Sequence, residues 1–419
     1  MKYELNTLSN GVKVLQIPVA GVKSVTALVL FGVGSRYENQ PINGLSHFLE
    51  HLFFKGSKKR PTAEQISIAV DEVGGEMNAF TSKEYTGYYI KAASQFGELA
   101  LDVLSDMLLN PLLKEDEIDR ERGVIIEEIK MYEDQPMMYV GELFENQLFG
   151  DTPLGWDTIG TRQNIKAMQK KQINDYRQNF YTADNMLVVV AGDIAQTTPH
   201  LEKYFAQFSG SRHQNYQKWA LESRSAYKMH VKPTEQTHLW LGFLGLPANH
   251  PDKYVLKVIS AILGGGMSSR LFLSVRERQG LAYYVRAASE HYLDSGYLVA
   301  SAGVATEKVE QAVKAILLEF QKLRDEKVSA TELNKVKQYL KGKLLLKIEQ
   351  TDELAGMLGM QQLLQGEIKT PEEINQLIDA VTLDDISRVA KQIITQQNLC
   401  GAFISSEDFS SWLDINLKI

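Results

Sequence analysis

Hydrophobic residues along the chain follow two spacings, and each spacing predicts a different kind of element. Alternating or short continuous apolar runs predict strands, whereas apolar positions three and four residues apart predict helices. The predicted strands are 12–17, 24–31, 77–81, 85–91, 186–190, 236–244, 294–303 and 398–404. The predicted helices are 44–55, 62–73, 95–110, 114–134, 137–149, 171–180, 198–208, 251–263, 268–278, 306–323, 329–349, 352–365, 371–380 and 382–394. Strands and helices mixed in this way predict an α+β fold.

A polar stretch without periodicity interrupts this pattern near the middle of the chain, and we place a linker at 213–228. The order of elements then restarts. The segment 87–94 followed by a helix compares with the segment 296–303 followed by a helix. Because 419 residues are too many for one ordinary core, this repetition predicts two related domains, 1–212 and 229–419.

Composition and charge exclude several classes of function. The chain is 44% hydrophobic and 23% charged, as in ordinary soluble proteins. Its net charge of −7 argues against nucleic acid as the main partner. The single cysteine, Cys400, excludes an intrachain disulfide and a cysteine-rich zinc site. With no signal-peptide pattern and no apolar run near the length of a membrane span, we expect a cytoplasmic protein, although a processed organellar or exported form stays open.

The motif His47-x-x-Glu50-His51 lies in the first predicted helix. Residues four apart share a helix face, so both imidazoles can reach one metal ion, while Glu50 can reach a water molecule on that ion. Two histidines four apart also arise by chance on amphipathic helices. Here, however, the flanking residues are apolar, and buried polar groups without partners are costly. The motif therefore favours a zinc site, with zinc-activated water attacking a carbonyl and a carboxylate taking the proton.

A catalytic zinc ion takes a third protein ligand, and the predicted helix 114–134 is rich in carboxylates. Most of these are expected to be solvated, but the helical phase separates them. At about 100° per residue from the buried Ile125, Glu121 falls about 40° and Glu128 about 60° from the apolar stripe, whereas Glu127 lies opposite. We predict Glu128 as the ligand, with Glu121 as an outer group or a substitute.

Several motifs, taken together, resemble one known family. The H-x-x-E-H motif followed by Glu128 is similar to the signature of the inverted-motif zinc peptidases, which include pitrilysin, insulin-degrading enzyme and the mitochondrial processing peptidase. The block 75–82 resembles the family's strand beside the metal. The blocks 264–272 and 275–283 resemble a block of its metal-free domain. The resemblance spans nearly the whole chain, and its length matches the shorter, processing-peptidase-like branch.

The resemblance implies a fold and a metal centre. The fold would be α+β, with two homologous domains, each a mostly antiparallel sheet with helices packed on one side, that enclose a chamber. His47, His51 and Glu128 would hold Zn²⁺, and Glu50 would take the proton from water and pass it to the leaving amine. Glu121 matches a carboxylate that the family carries seven residues before its third ligand.

The resemblance also implies substrate-binding residues. Asn78, Ala79 and Phe80 would line the strand along which the peptide pairs. From the metal-free domain, Arg276 would orient a peptide carbonyl and the Tyr283 hydroxyl would bind the tetrahedral oxyanion. If these motifs were structural only, 78–80 would be a plain edge strand and Arg276 a surface arginine.

The function implied is a zinc-dependent endopeptidase, processing-peptidase-like, that cleaves extended peptides or unfolded protein segments. We expect a homodimer, or a heterodimer with a metal-free homologous subunit. Two other classes stay open: a non-catalytic subunit of an assembly, and a zinc hydrolase of small amides. The intact H-x-x-E-H motif argues against the first class, and the strand-like region around Asn78 argues against the second.

Overall fold

A computed structural model describes residues 1–212, 215–220 and 226–419. The β-strands are β1 Glu4–Thr7, β2 Lys13–Pro18, β3 Ser24–Phe31, β4 Glu76–Thr81, β5 Thr86–Ala93, β6 Met186–Gly192, β7 Tyr227–Val231, β8 Thr237–Leu244, β9 Ala282–His291, β10 Gly296–Val304 and β11 Leu399–Ser405.

The α-helices are α1 Leu45–Phe53, α2 Ala63–Asp71, α3 Gly97–Leu109, α4 Glu115–Glu133, α5 Pro136–Phe149, α6 Arg162–Ala167, α7 Lys170–Phe180, α8 Leu201–Phe205, α9 Lys253–Gly264, α10 Val309–Asp325, α11 Ala330–Lys347, α12 Thr351–Gln365, α13 Pro371–Ala380, α14 Leu383–Ile393 and α15 Ser410–Asn416. Residues Phe272–Arg278 form a π-helical segment within the predicted helix 268–278. Within the described ranges, no helix is long and apolar enough to cross a membrane.

The chain forms two compact units that interleave along the sequence. Unit 1 comprises Met1–Lys130, Asp157–Gln217 and Leu345–Thr370, and unit 2 comprises Met131–Trp156, Lys218–Leu344 and Pro371–Ile419. The helix α5 therefore belongs to unit 2 and the helix α12 to unit 1. The linear boundary at 213–228 stays a prediction. Residues 213, 214 and 221–225 of that segment lie outside the described residues, and β7 begins at Tyr227.

The sheet of unit 1 has the order β1-β2-β6-β3-β5-β4, in which only the β2–β6 pair is parallel. Its centre is buried on both faces, as the continuously apolar sequence of β3 predicts. Val25, Ala27 and Val29 pack in the main core, which also contains residues of α1, α3 and α7. Leu28 and Leu30 pack on the opposite face against α12.

The sheet of unit 2 repeats this arrangement with the order β7-β11-β8-β10-β9, in which only β7–β11 is parallel. The predicted α+β fold with two homologous domains is therefore confirmed. Phe243 and Phe320 of α10 pack edge to face on the main helical side of this sheet. Val299 and Ala402 face α5 on the other side. In each unit, one helix from elsewhere in the sequence thus covers the face opposite the main helical layer.

Most predicted elements occur within a few residues of their predicted bounds, but the sequence pattern did not predict β1, β7, β9, α6 and α15. The four residues of β1 are all exposed, including its one apolar residue, Leu5, so no buried face marks the strand. In β9, buried positions are confined to its first half, and exposed polar residues follow them. Edge strands such as β1, β7 and β9 are exposed along one side and carry little hydrophobic periodicity.

Candidate metal centre and active site

The helix α1 presents the H-x-x-E-H residues on its one incompletely buried face. Its apolar side chains belong to the core of unit 1: Leu45, Phe48, Leu49, Leu52 and Phe53. Gly44 precedes the helix with a φ of 98°, a left-handed conformation that favours glycine. The amphipathic pattern therefore fixes which way His47, Glu50 and His51 point.

A buried carboxylate holds the start of this helix. Glu38 is only 4% exposed and accepts hydrogen bonds from the backbone N–H groups of Gly44 (2.8 Å) and Ser46 (2.6 Å) and from the side chain of Asn43 (3.2 Å). Burial raises the pKa of Glu38 to about 7, although these hydrogen bonds oppose the rise. A carboxylate at a helix N-terminus satisfies N–H groups that the helix itself cannot. Glu38 could not be predicted from the sequence, because no helical spacing connects it to α1.

Among the described residues, one group has ligand atoms placed to hold a metal ion: His47, His51 and Glu128, whose ligand atoms lie within 4.8 Å of one another. The Glu128 Oε2 atom lies 3.7 Å from His47 Nε2 and 3.5 Å from His51 Nε2. Two atoms that bind zinc tetrahedrally at about 2.0–2.1 Å lie about 3.3 Å apart. The donor types and their spacing therefore fit zinc.

The protonation state of His47 also suits a metal. Burial, and then the neighbouring His51, lower the pKa of His47 to about 3, so its imidazole is neutral at physiological pH. Burial raises the pKa of Glu128, while His51 lowers it. Only a neutral imidazole can donate its lone pair to a metal. The Nδ1 atom of His47 is buried and has no hydrogen-bond partner within the described ranges.

The Nδ1 atom of His51 contacts a carboxylate, which in turn pairs with a lysine. His51 Nδ1 lies 3.1 Å from Glu121 Oε2, and Lys55 Nζ lies 2.7 Å from Glu121 Oε1. Burial alone would raise the pKa of Glu121, but the hydrogen bonds from His51 and Lys55 outweigh burial and keep it below the usual value. A carboxylate on the far nitrogen orients a ligating imidazole and increases its basicity. The structure thus places Glu121 beside His51, whereas sequence spacing gave no role for Lys55.

The two adjacent glutamates of α4 point in different directions. Glu128 joins the histidines, whereas the Glu127 side chain is 70% exposed and pairs with Lys130 on the surface. This is the orientation that the helical phase predicts.

Glu50 lies beside the histidines, and its carboxylate accepts a hydrogen bond from the hydroxyl of Thr81. Burial raises the pKa of Glu50, the Thr81 hydrogen bond and then His51 lower it, and Glu128 raises it. The net rise moves this carboxyl towards the range in which a general base works best at neutral pH. The contact of Thr81 with Glu50 could not be predicted, because nothing in the sequence connects the two residues.

The predicted substrate residues Asn78, Ala79 and Phe80 lie on β4, at the edge of the sheet of unit 1. In the described structure β4 pairs with β5 alone. Its other edge therefore presents N–H and C=O groups that can pair with an extended peptide. The Phe80 ring lies across Gly87, where an added Cβ would come within 2.3 Å of the ring.

Tyr283 belongs to unit 2, where it is the extra residue of a β-bulge. Ala282 pairs with Val304 and Tyr284 pairs with Gly303, so Tyr283 has no partner on β10. Its side chain is 76% exposed. Bulges re-aim side chains and occur often beside active sites.

Arg276 also belongs to unit 2 and lies in the π-helical segment Phe272–Arg278. Its guanidinium carbon lies 4.8 Å from the centre of the Phe272 ring. Segments of π-helix occur frequently at functional sites.

Comparison with known proteins places these features in a family. Residues 13–162 match the insulinase family (peptidase family M16), and residues 167–340 match the inactive domain of peptidase M16. The uncharacterised zinc protease YmxG of Bacillus subtilis is 37% identical over 392 residues, which are 93% of this chain and 95% of that protein. An uncharacterised zinc protease of Streptomyces coelicolor is 34% identical over 93% of this chain and 86% of its own length.

Solved structures agree with this assignment. A protease from Helicobacter pylori superposes with a TM-score of 0.89 at 25% identity, covering 96% of this chain and 99% of that one. A peptidase M16 inactive domain from Pseudomonas fluorescens shares the fold, with a TM-score of 0.90 at 18% identity over 97% and 98% of the two chains. Similarity over nearly the full length of its relatives, together with a histidine–histidine–glutamate group that suits zinc, shows that the chain belongs to the insulinase (M16) family of zinc peptidases.

Proposed function

We propose that this zinc peptidase is an endopeptidase that cleaves extended peptides or unfolded protein segments, with Glu50 as its general base. The observation that supports the proposal most strongly is the position of Glu50. It lies on the same helix face as His47 and His51 and has Thr81 of the edge strand β4 as its hydrogen-bond partner. The base and the strand that would hold the peptide are thus adjacent.

In this proposal His47, His51 and Glu128 hold the zinc ion. When bound, zinc would polarise the scissile carbonyl and make water a stronger nucleophile at neutral pH. The carboxylate of Glu50 accepts the proton that water loses and later donates it to the leaving amine. Its raised pKa favours the second step as well as the first, because a weakly acidic carboxyl group can hold the proton between the two.

The edge strand gives a reason for the substrate class. An extended peptide that adds to β4 satisfies backbone groups of Asn78, Ala79 and Phe80 whatever its side chains are. Folded segments, whose own backbone groups are already paired, cannot add in this way. We therefore propose unstructured peptides as substrates in preference to small amides or folded proteins.

Arg276 and Tyr283 are assigned to the substrate on family resemblance. Arg276 would orient a peptide carbonyl, and the Tyr283 hydroxyl would donate to the tetrahedral oxyanion. The exposure of Tyr283 on a bulge supports this role, because a tyrosine presented to solvent is available to a ligand. We place the chain in the processing-peptidase-like branch and propose a homodimer, since its own ligand set is complete. Light scattering of the purified chain tests the homodimer, and an inactive chain that gains activity with a homologue would support the heterodimer.

The experiment that tests the proposal compares the wild-type chain, Glu50→Gln and Glu127→Gln on a quenched unstructured peptide. Glu50→Gln keeps the size of the side chain but cannot take a proton. We expect it to keep one zinc ion per chain and to lose about 10²–10⁴-fold in kcat. Glu127→Gln changes a surface glutamate on the neighbouring helix and should keep wild-type activity.

Full activity in Glu50→Gln would refute the role of Glu50. Cleavage of small amides but not of the peptide would refute the proposed substrate class.

A further inference from the structure

The hydroxyl of Thr81 donates a hydrogen bond to Oε2 of Glu50. We propose that Thr81 is a positioning residue that fixes the carboxylate of the general base and ties it to the strand on which the substrate lies. This inference rests on the proposed function of Glu50. Thr81 itself makes no proposed contact with the reacting atoms.

The carboxylate of Glu50 has few other restraints. Thr81 is the one hydrogen-bond donor that the described part of the chain offers to this carboxylate. The terminal torsion of a glutamate is broad, so an unrestrained carboxylate samples many orientations. A donor on Oε2 fixes the plane of the group and leaves Oε1 free to accept a proton.

Thr81 also lies beside the proposed substrate residues on the strand. It is the last residue of β4 and follows Asn78, Ala79 and Phe80 directly. Side chains alternate along a strand, so Thr81 shares a face with Ala79, which packs against the core that contains α1. A peptide that pairs along β4 is therefore held by the same strand whose last side chain holds the base. The distance between the peptide and the base does not then depend on a loop.

A structural role for Thr81 predicts a different response to substitution. Threonine is common in strands because it is β-branched. If that were its whole contribution, valine would replace it without loss, since valine has the same shape and no hydroxyl. Serine, which is not β-branched, would then be the poorer substitute. The positioning role predicts the reverse order.

The experiment measures kcat, KM and zinc content for Thr81→Val and Thr81→Ser on the quenched peptide. We expect Thr81→Val to bind one zinc ion per chain, to keep KM within about twofold and to lose about 10- to 100-fold in kcat, as expected for a misplaced catalytic group. Thr81→Ser, which keeps the hydroxyl, should restore kcat to within about threefold of the wild type. Wild-type kcat in Thr81→Val, or a serine variant as slow as the valine variant, would overturn the inference.

Thr26→Val is the matched control. Thr26 lies on β3 in the same unit, and its buried hydroxyl bonds to that of Thr351, away from the candidate site. This control loses a threonine hydrogen bond inside the sheet but should keep kcat. An equal loss of kcat in Thr26→Val would show that the effect is a general loss of stability, and would overturn the inference.

Two further measurements separate this inference from the proposed function. In crystals of the metal-free protein, the Glu50 carboxylate should keep its position in Thr81→Ser and leave it in Thr81→Val, a result that needs no activity. In a double-mutant cycle, Thr81→Val should cost less in a Glu50→Asp background than in the wild type, because the two residues act together. Additive losses would overturn the inference alone, whereas a wild-type chain without zinc-dependent cleavage would overturn the proposed function and the inference with it.

Discussion

Apart from the additional strand β1 of unit 1, the two units have sheets of the same strand order, and in each a helix packs beside an edge strand. In unit 1 that helix is α1, which lies beside β4 and carries His47, Glu50 and His51. In unit 2 it is α9, which lies beside β9 and whose buried residues are apolar except for Ser260. The same arrangement of helix and edge strand therefore carries polar residues in unit 1 and a mainly apolar contact in unit 2.

The contact in unit 2 is much closer than a metal group would need. An added Cβ on Gly264, at the end of α9, would lie 2.1 Å from the backbone nitrogen of Ala287 on β9. The helix and the strand are thus in direct backbone contact. In unit 1, the Glu50 side chain of α1 reaches β4, where it accepts the hydrogen bond from Thr81. The residue types distinguish the two contacts: in unit 1 a glutamate and a threonine meet, whereas in unit 2 a glycine lies against the strand backbone.

The largest effect should come from removing the proposed third ligand. Glu128→Gln replaces a carboxylate with a neutral amide, a much weaker zinc ligand. We expect zinc affinity to fall by more than about 100-fold, the upper end of what loss of an outer-shell partner costs. Peptidase activity should fall with it. Metal analysis and chelator competition measure the change.

The adjacent glutamate provides the control for Glu128. Glu127→Gln changes an exposed side chain that pairs with Lys130, so zinc affinity should stay within about twofold of the wild type. The reverse result would show that the orientation of α4 is wrong, and the proposed metal group in unit 1 would fail with it.

The next largest effect, on the stability of the fold, should come from the close contact between α9 and β9 in unit 2. Gly264→Ala forces a methyl group against the backbone of β9, and overpacking of this kind costs about 1–3 kcal/mol in the free energy of unfolding. Gly342→Ala on α11 is the control, because, apart from its chain neighbours and its own helix backbone, no atom of the described residues lies within 4 Å of the added Cβ. That variant should be neutral or more stable by up to about 1 kcal/mol. Equal stability of the two variants, measured by urea unfolding, would mean that α9 and β9 are less close than the structure shows.

The sequence predicted what depends on local periodicity. The face of α1 with His47 and His51, and the choice of Glu128 over Glu127, follow from about 3.6 residues per turn and a buried apolar stripe. The alternation of strands and helices gave the α+β class and the repeat. The structure brings His47, His51 and Glu128 together as that reasoning predicts.

The sequence could not predict what depends on contacts between distant segments. Thr81 meets Glu50 because β4 packs beside α1, and Lys55 acquires its role only through Glu121 on another helix. The exchange of α5 and α12 between the units is also invisible in the sequence. Their amphipathic faces require a partner but do not specify which sheet provides it.

Lys55 gives a smaller effect that sharpens the description of the metal group. Lys55→Met keeps the length of the side chain but removes the charge that lies 2.7 Å from Glu121. Glu121 would then hold His51 less firmly, and we expect zinc affinity to fall by about tenfold, the lower end for outer-shell partners. Lys55→Arg keeps the charge and should recover most of the loss. If the Lys55→Met and Lys55→Arg variants bind zinc with equal affinity, Lys55 does not act through its charge.

The smallest expected effect is a pH dependence, and it compares a buried histidine in each unit. Burial, and then His51, lower the pKa of His47 in unit 1 to about 3. In unit 2, burial lowers the pKa of His291 to about 4, although its hydrogen bond to the carbonyl of Leu246 opposes the shift. The unfolded chain binds a proton on each near its ordinary pKa of 6.5. Stability from each group is therefore complete above pH 6.5 and is lost as the pH falls towards 3 or 4. From pH 7 to pH 6 the loss in the metal-free protein is about 0.7 kcal/mol per histidine.

The variants His47→Gln and His291→Gln should each lose this pH dependence. Each substitution also removes hydrogen bonds, but that loss is the same at pH 7 and pH 6 and cancels when the two are compared.

All four tryptophans lie in unit 2: Trp156, Trp219, Trp240 and Trp412. Tryptophan fluorescence during urea unfolding therefore reports unit 2, while circular dichroism reports both units. If the units unfold separately, His291→Gln should change the pH response of the fluorescence and His47→Gln should leave it unchanged. If both variants change the fluorescence response, the units unfold as one. Zinc should then add to the stability of the whole chain, although only unit 1 carries the proposed ligands.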